Sequence, residues 1–202
     1  IWSLLRAEYT NKNDVAFGVT VSGRPAEAKY EKKVGLYINT IPLRTQIDKE
    51  QKVTTWLQSL QTGHAKARAF QHASLSEIKR NNNINDDFFD SILIFRNFPI
   101  KASNGEKTED SLAIQNYSVK ENNNYPLSVQ ADLHETLNVD FQYNSDLIDE
   151  AHIKMIRDHF EYALHKVITL ADEKLSAFSL ISDEEAHKIQ YEFNSAAVPY
   201  DK

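Results

Sequence analysis

The sequence predicts an α+β fold: a two-layer α/β sandwich with a mixed, largely antiparallel sheet and helices packed on one face. Three observations carry this. Val15, Phe17, Val19 and Val21 alternate with small or polar residues, the period-2 signature of a half-buried strand. Tyr125, Leu127, Val129, Ala131 and Leu133, then Leu137, Val139, Phe141 and Tyr143, alternate likewise across His134-Glu135-Thr136, which reads as a hairpin. Two long stretches, Asp48 to about Phe70 and Asp149 to Ala171, instead repeat apolar residues at helical spacing.

Taken in order, Ile1 to Tyr9 reads as the last turns of a helix, with Trp2, Leu4 and Leu5 apolar and Thr10 to Asp14 as the stop. The chain opens inside this helix and without Met, so a piece of a larger unit is expected. The first strand ends at Ser22-Gly23-Arg24-Pro25. Gly23 can take positive φ there, and Pro25 cannot continue a ladder. A polar loop from Ala26 to Lys33 leads into Val34–Arg44, read as a second strand, apolar on both faces except for Asn39 and Thr40. A polar pair in a buried strand needs partners. Pro42 lacks a ladder donor, so an edge, a bulge or a strand end is expected.

Asp48 is placed to cap the next helix. Its stripe is Val53, Trp56, Leu57, Leu60, His64 and Ala67. Ser74 and Glu77 open a short helix as a capping box. Ile92 to Phe95 is a continuous apolar run that suits a strand covered on both faces. Lys101–Asp110 reads as a polar loop. Ser111–Val119 reads as a strand that forms an antiparallel meander with the hairpin, and Lys120–Asn124 as a turn. Ile153, Ile156, Phe160, Leu164 and Val167 form the stripe of the last long helix. Ser182 and Glu185 cap a short helix that runs into an extended tail.

The 202 residues suit one domain or one large lobe. At 41% hydrophobic, the chain can build a core. Mean hydropathy is −0.53, and no apolar run approaches the ~20 residues that span a bilayer. No basic-then-apolar leader is present. There are no cysteines, which excludes disulfides, thiolate metal sites and cysteine catalysis and fits a cytoplasmic protein. The net charge of −6 argues against general affinity for nucleic acid.

None of the seven histidines forms a recognisable constellation. His152 and His159 share a helix face and read as surface or stripe residues, and His64 and His72 are no more distinctive. No His-Glu-x-x-His pattern occurs. Asp86, Asp87 and Asp90 read as an acidic loop capping a strand rather than a cation site, so no metal is expected. No phosphate loop, dinucleotide fingerprint or nucleophile elbow is present. The sequon Asn116-Tyr117-Ser118 reads as chance, and Lys32-Lys33 is too short for a basic patch.

Phe17 to Pro25 reads FGVTVSGRP, and Val34 to Arg44 reads VGLYINTIPLR. These resemble the FGxxxSGRP and (V/I)GxFxNTxPxR motifs of the condensation domains of non-ribosomal peptide synthetases, with Tyr37 in place of Phe. Leu75 to Arg80 is similar to that family's PLxEIQR element, with Lys79 in place of Gln. Phe89 to Pro99 is similar to its FDxLxVFxNxP segment. A departure lies just before that segment, where Asn85-Asp86-Asp87-Phe88 replaces a common Arg-Asn-Pro-Leu element. Leu180 to Tyr200 resembles the linker into a following adenylation domain, Leu-x-(Ser/Thr)-x-x-Glu and then Asn-(Ser/Thr)-x-x-x-Pro-Tyr.

The resemblance implies residues 1–179 as the carboxy-terminal lobe of such a domain, with a chloramphenicol acetyltransferase-like fold, and residues 180–202 as linker helix and tail. The family's HHxxxDG motif sits in the amino-terminal half. Its second His acts on the acceptor amine as general base or by positioning. No His-His pair occurs in this chain, so no catalytic residue is expected here and the isolated lobe should be inactive. The complete domain would form amide bonds between aminoacyl or peptidyl thioesters on donor and acceptor carrier proteins. Phosphopantetheine would enter on those carriers, with no cofactor bound directly. Implied partners are the amino-terminal lobe, both carrier proteins and the adjacent adenylation domain, with no nucleic acid or membrane. The alternatives are a non-catalytic docking platform, or a lobe of a related epimerisation or cyclisation domain.

The resemblance also nominates tunnel and lobe-interface residues. Ser22, Gly23, Arg24 and Pro25 look like part of the crossing that floors the tunnel, and Lys101–Asp110 like a second crossing element. Arg24 would pair with a carboxylate of the other lobe or guide a substrate. Asn39 and Thr40 would be buried hydrogen-bonding structure or substrate contacts. Arg44, at the strand end, would be structural.

Overall fold

The structure, a computed structural model, describes residues 1–24, 32–96, 124–133 and 135–194. Among these residues five strands form one sheet: β1 (Asp14–Val21), β2 (Asn39–Gln46), β3 (Ser91–Arg96), β4 (Leu127–Leu133) and β5 (Leu137–Tyr143), in the order β2-β1-β3-β4-β5. The β1–β2 and β4–β5 pairs are antiparallel, and the β1–β3 and β3–β4 pairs are parallel. The helices are α1 (Trp2–Thr10), α2 (Val53–Arg68), α3 (Leu75–Asn81), α4 (Glu150–Thr169) and α5 (Asp183–His187). A π-helical turn, Lys188–Glu192, follows α5.

Alternation along the strands sorts side chains onto two faces. Phe17, Val19, Leu93, Leu127, Val129 and Phe141 face the helices and join Trp2, Leu5, Phe160, Ala163 and Leu180 in one cluster. A second cluster gathers Leu4, Ala7, Val15, Ile47, Val53, Trp56 and Leu175. Fully burying each large side chain contributes roughly 1.5–3 kcal/mol, so α1, which serves both clusters, locks the helix layer to β1. The opposite face carries Thr20, Thr40, Ser128, Gln130 and Gln142, by the same parity.

Pro42 is on β2, the edge strand, where a missing N–H leaves no gap in an inner ladder. Asn11 closes α1 in the left-handed conformation with φ 51. The Ser74, Asp149 and Ser182 side chains cap α3, α4 and α5.

Several expectations need correction. The second strand starts at Asn39, not Val34, because its partner β1 ends at Val21, opposite Asn39. Without a ladder, Val34, Leu36 and Ile38 are exposed. Asp48 does not cap α2; its carboxylate accepts from the Glu50 N–H at 3.0 Å. The first α2 donors, Val53 and Thr54, instead bond the carbonyls of Glu173 and Ala171 at 2.9 and 3.0 Å. Leu57 leaves the predicted stripe for solvent. Phe95 is 51% exposed, so β3 is not covered on both faces throughout.

β4 differs most. Its alternation reads as half-exposed, yet Ser128 and Gln130, on the face away from the helices, are 0% and 1% exposed. Lys101–Asp110, Ser111–Val119, the sequon, His134, Pro25 and the tail from residue 195 lie outside the described residues.

Candidate functional site

The two motif strands are one ladder. Phe17, Gly18, Val19, Thr20 and Val21 stand opposite Leu43, Pro42, Ile41, Thr40 and Asn39. The chain therefore leaves the sheet at the Ser22–Arg24 turn and returns at Asn39.

Gly23 takes φ +62, as its position suggested. A Cβ there would lie 1.9 Å from the Tyr37 carbonyl oxygen. Only glycine permits both the left-handed backbone and that approach. The Ser22 hydroxyl accepts from the Arg24 N–H at 3.2 Å and closes the turn. The Arg24 guanidinium lies 4.1 Å from the Tyr37 ring centroid, a cation–π contact. It also donates to the Lys33 carbonyl at 2.8 Å. Arg24 thus ties the outgoing chain to the returning one.

Asn39 and Thr40 separate onto opposite faces because adjacent strand residues must. The Asn39 amide donates to the carbonyls of Gln71 and Ala73 at 2.8 and 2.9 Å, and accepts from the Thr40 N–H at 2.9 Å. It fastens the sheet edge to the approach to α3. Thr40 faces the other way, opposite Thr20. Arg44 grips Asp14 in a two-pronged bond of 2.8 and 2.5 Å, and these bonds hold the Asp14 carboxyl below its ordinary range. Asn39 and Arg44 are five residues apart on β2, roughly 17 Å. The nominated residues therefore make one wall and not one cluster.

Sequence reasoning passed over Gly18. A Cβ at Gly18 would come within 2.5 Å of the Phe89 ring and 2.7 Å of the Ile92 methyl. A lone glycine inside an alternating strand was the available signal. The polar sheet face was missed as well. Arg96 grips Asp132 across β3–β4 with bonds of 2.9 and 2.8 Å. Beside them the Gln130 Nε2 and Gln142 Oε1 atoms are buried without a hydrogen-bond partner.

Of the three acidic residues before β3, Asp87 pairs with Lys79 at 2.6 Å and Asp90 with Arg6. Among the described residues, no cluster of His, Asp and Glu could hold a metal ion. His152 is exposed and pairs with Asp149 at 2.7 Å. Of the surface and stripe readings, His159 takes the stripe one, on the buried side of α4. It is 7% exposed and lies between Tyr9 and Glu185.

The fold is a mixed five-stranded sheet among the described residues, with the motif residues spread along one wall of it. The model of the Condensation domain family matches residues 1–190, and the chain belongs to that family, the condensation domains of nonribosomal peptide synthetases. Bacitracin synthase 3 of Bacillus licheniformis is 30% identical over 204 residues, which cover 100% of this chain and 3% of that protein. The chain therefore spans a small part of that curated relative. A four-domain nonribosomal peptide synthetase solved with AMP and glycine superposes with a TM-score of 0.78 at 16% identity, over 95% of this chain and 16% of that one. The first condensation domain of the CDA synthetase superposes with a TM-score of 0.68 at 14% identity, over 90% of this chain and 40% of that one. Among the described residues, no helix is long and apolar enough to cross a membrane.

Proposed function

We propose that residues 1–179 act as the carboxy-terminal lobe of a condensation domain, and that residues 180–202 lead towards an adenylation domain. The carrying observation is coverage: 90% of this chain superposes on 40% of a solved condensation domain. The absence of any His-His pair in the sequence agrees with chemistry housed in the other lobe.

In the complete domain, the amine on an acceptor carrier attacks the thioester carbonyl on a donor carrier. A C–N bond forms, the C–S bond breaks, and the donor thiol leaves with the proton released by the amine. Both groups arrive on phosphopantetheine arms attached to the carriers. This lobe contributes shape: Gly23 and Arg24 fix the turn at the floor of the passage, and Asn39 anchors the wall behind. The described contacts of Arg24 with Tyr37 and Lys33 support a bracing role. Exposed Ile189, Tyr191 and Phe193 beyond α5 support burial against a neighbouring adenylation domain. A cytoplasmic setting fits this soluble-carrier chemistry.

The test is a complete domain that contains these residues as its second lobe, supplied with aminoacyl donor and acceptor carriers. Intact-mass analysis should show the donor's acyl group moved onto the acceptor. A folded domain that binds both carriers and makes no amide would overturn the enzyme in favour of a docking platform.

A further inference from the structure

The Tyr9–His159–Glu185 chain joins three elements remote in sequence. The Tyr9 hydroxyl, at the end of α1, lies 2.6 Å from His159 Nδ1 on α4. His159 Nε2 lies 3.1 and 3.0 Å from the two Glu185 carboxylate oxygens on α5. The tautomer with hydrogen on Nε2 satisfies every group: the tyrosine donates to Nδ1, and Nε2–H donates to the carboxylate. A buried imidazole bonded at both nitrogens has one fixed orientation.

Glu185 stands three residues after the Ser182 cap, where a capping-box glutamate would reach back to its own helix start. Only half of that box is made here. The Ser182 hydroxyl accepts from the Glu185 N–H at 3.1 Å, while the Glu185 carboxylate reaches out to His159. Leu180, just upstream, is buried in the main core cluster. The short helix is thus held at two points, by an apolar plug and by a charged hydrogen bond. A five-residue helix has little stability of its own, so these tethers decide whether it stays on the lobe.

We propose that Tyr9, His159 and Glu185 form a clasp that fixes α5 and the following π-turn to the lobe, so that the chain departs from one defined point and direction. Tyr9 and Glu185 are positioning residues acting through His159. That this departure leads to a neighbouring domain rests on the linker assignment above; the clasp itself does not.

The test is hydrogen–deuterium exchange on the whole chain. Glu185→Ala keeps a strong helix former and the Ser182 cap but removes the carboxylate. Amides of residues 183–192 should exchange roughly tenfold faster, as expected for losing a charge-assisted bond, while β1, β3 and β4 stay protected. Tyr9→Phe, which removes only the hydroxyl that orients the ring, should give a smaller increase confined to the same residues. His159→Gln, whose amide mimics Nε2, should keep more protection than His159→Ala. Unchanged exchange at 183–192 in Glu185→Ala overturns the clasp, and so does an equal loss of protection across the sheet. Amide-forming activity is not read here, so failure of the functional proposal would leave this result standing, and the reverse.

Discussion

Replacing Asn39 separates a structural anchor from a substrate contact. Its amide donates to two carbonyls and accepts from one N–H, at 2.8, 2.9 and 2.9 Å. Each bond is worth about 1 kcal/mol net, and half-burial reduces the sum, so Asn39→Ala should cost about 2 kcal/mol. Asn39→Asp is nearly isosteric yet should cost more at pH 7, about 3–4 kcal/mol, because a carboxylate would face the Gln71 and Ala73 oxygens with no proton to offer. That setting raises the introduced carboxyl's folded pKa above its unfolded value of ~3.9. The protonated form is then the favoured one. Stability is present below the unfolded pKa and is lost as pH rises through the folded one. Urea unfolding followed by tryptophan fluorescence at pH 7 and pH 4.5 measures this against the unsubstituted chain at each pH. The reasoning is refuted if Asn39→Asp costs no more than Asn39→Ala at pH 7, or if its deficit does not shrink at pH 4.5.

Three further outcomes are expected. Gly18→Ala drives a methyl into Phe89 and Ile92 at 2.5 and 2.7 Å and should cost about 1–3 kcal/mol; adding Phe89→Leu should recover part of it in a double-mutant cycle. Burial, and then the Glu185 charge, push the Tyr9 phenol up to about 12. Its folded pKa exceeds the unfolded ~10, so its contribution is intact below pH ~10 and is lost as pH rises through the folded value. Chemical unfolding at pH 9 and pH 11 should therefore show a smaller alkaline loss in Tyr9→Phe, and an equal loss would remove the shift. In a complete domain, Arg24→Ala should abolish condensation; unchanged rate and stability would exclude it from both the bracing and the substrate-guiding role.

What could be read in advance was local. Gly23 announced its positive φ, and Ser74 and Ser182 their caps, because each depends on residues within a few positions. Gly23 even carried a second constraint, the Tyr37 carbonyl, that spacing alone does not reveal. The misreadings all involve distant partners. Asp48 looked like a cap, but carbonyls more than a hundred residues away satisfy α2. Alternation showed that Ser128 and Gln130 share a face but not whether that face is covered. Val34, Leu36 and Ile38 looked like strand because apolar character does not say where β1 ends. His159 was legible as a stripe position, but its partners Tyr9 and Glu185 meet it only in the folded lobe. The site was legible as motifs, but its division into a turn, an anchor and a distant Arg44–Asp14 grip was not.

The most direct measurement compares amide formation by the 202-residue chain alone with that by a complete condensation domain ending in the same residues. Both receive the same aminoacyl donor and acceptor carriers, and products are read by intact mass. A lobe whose catalytic histidines lie elsewhere predicts product only from the complete domain. Turnover by the chain alone would contradict that claim.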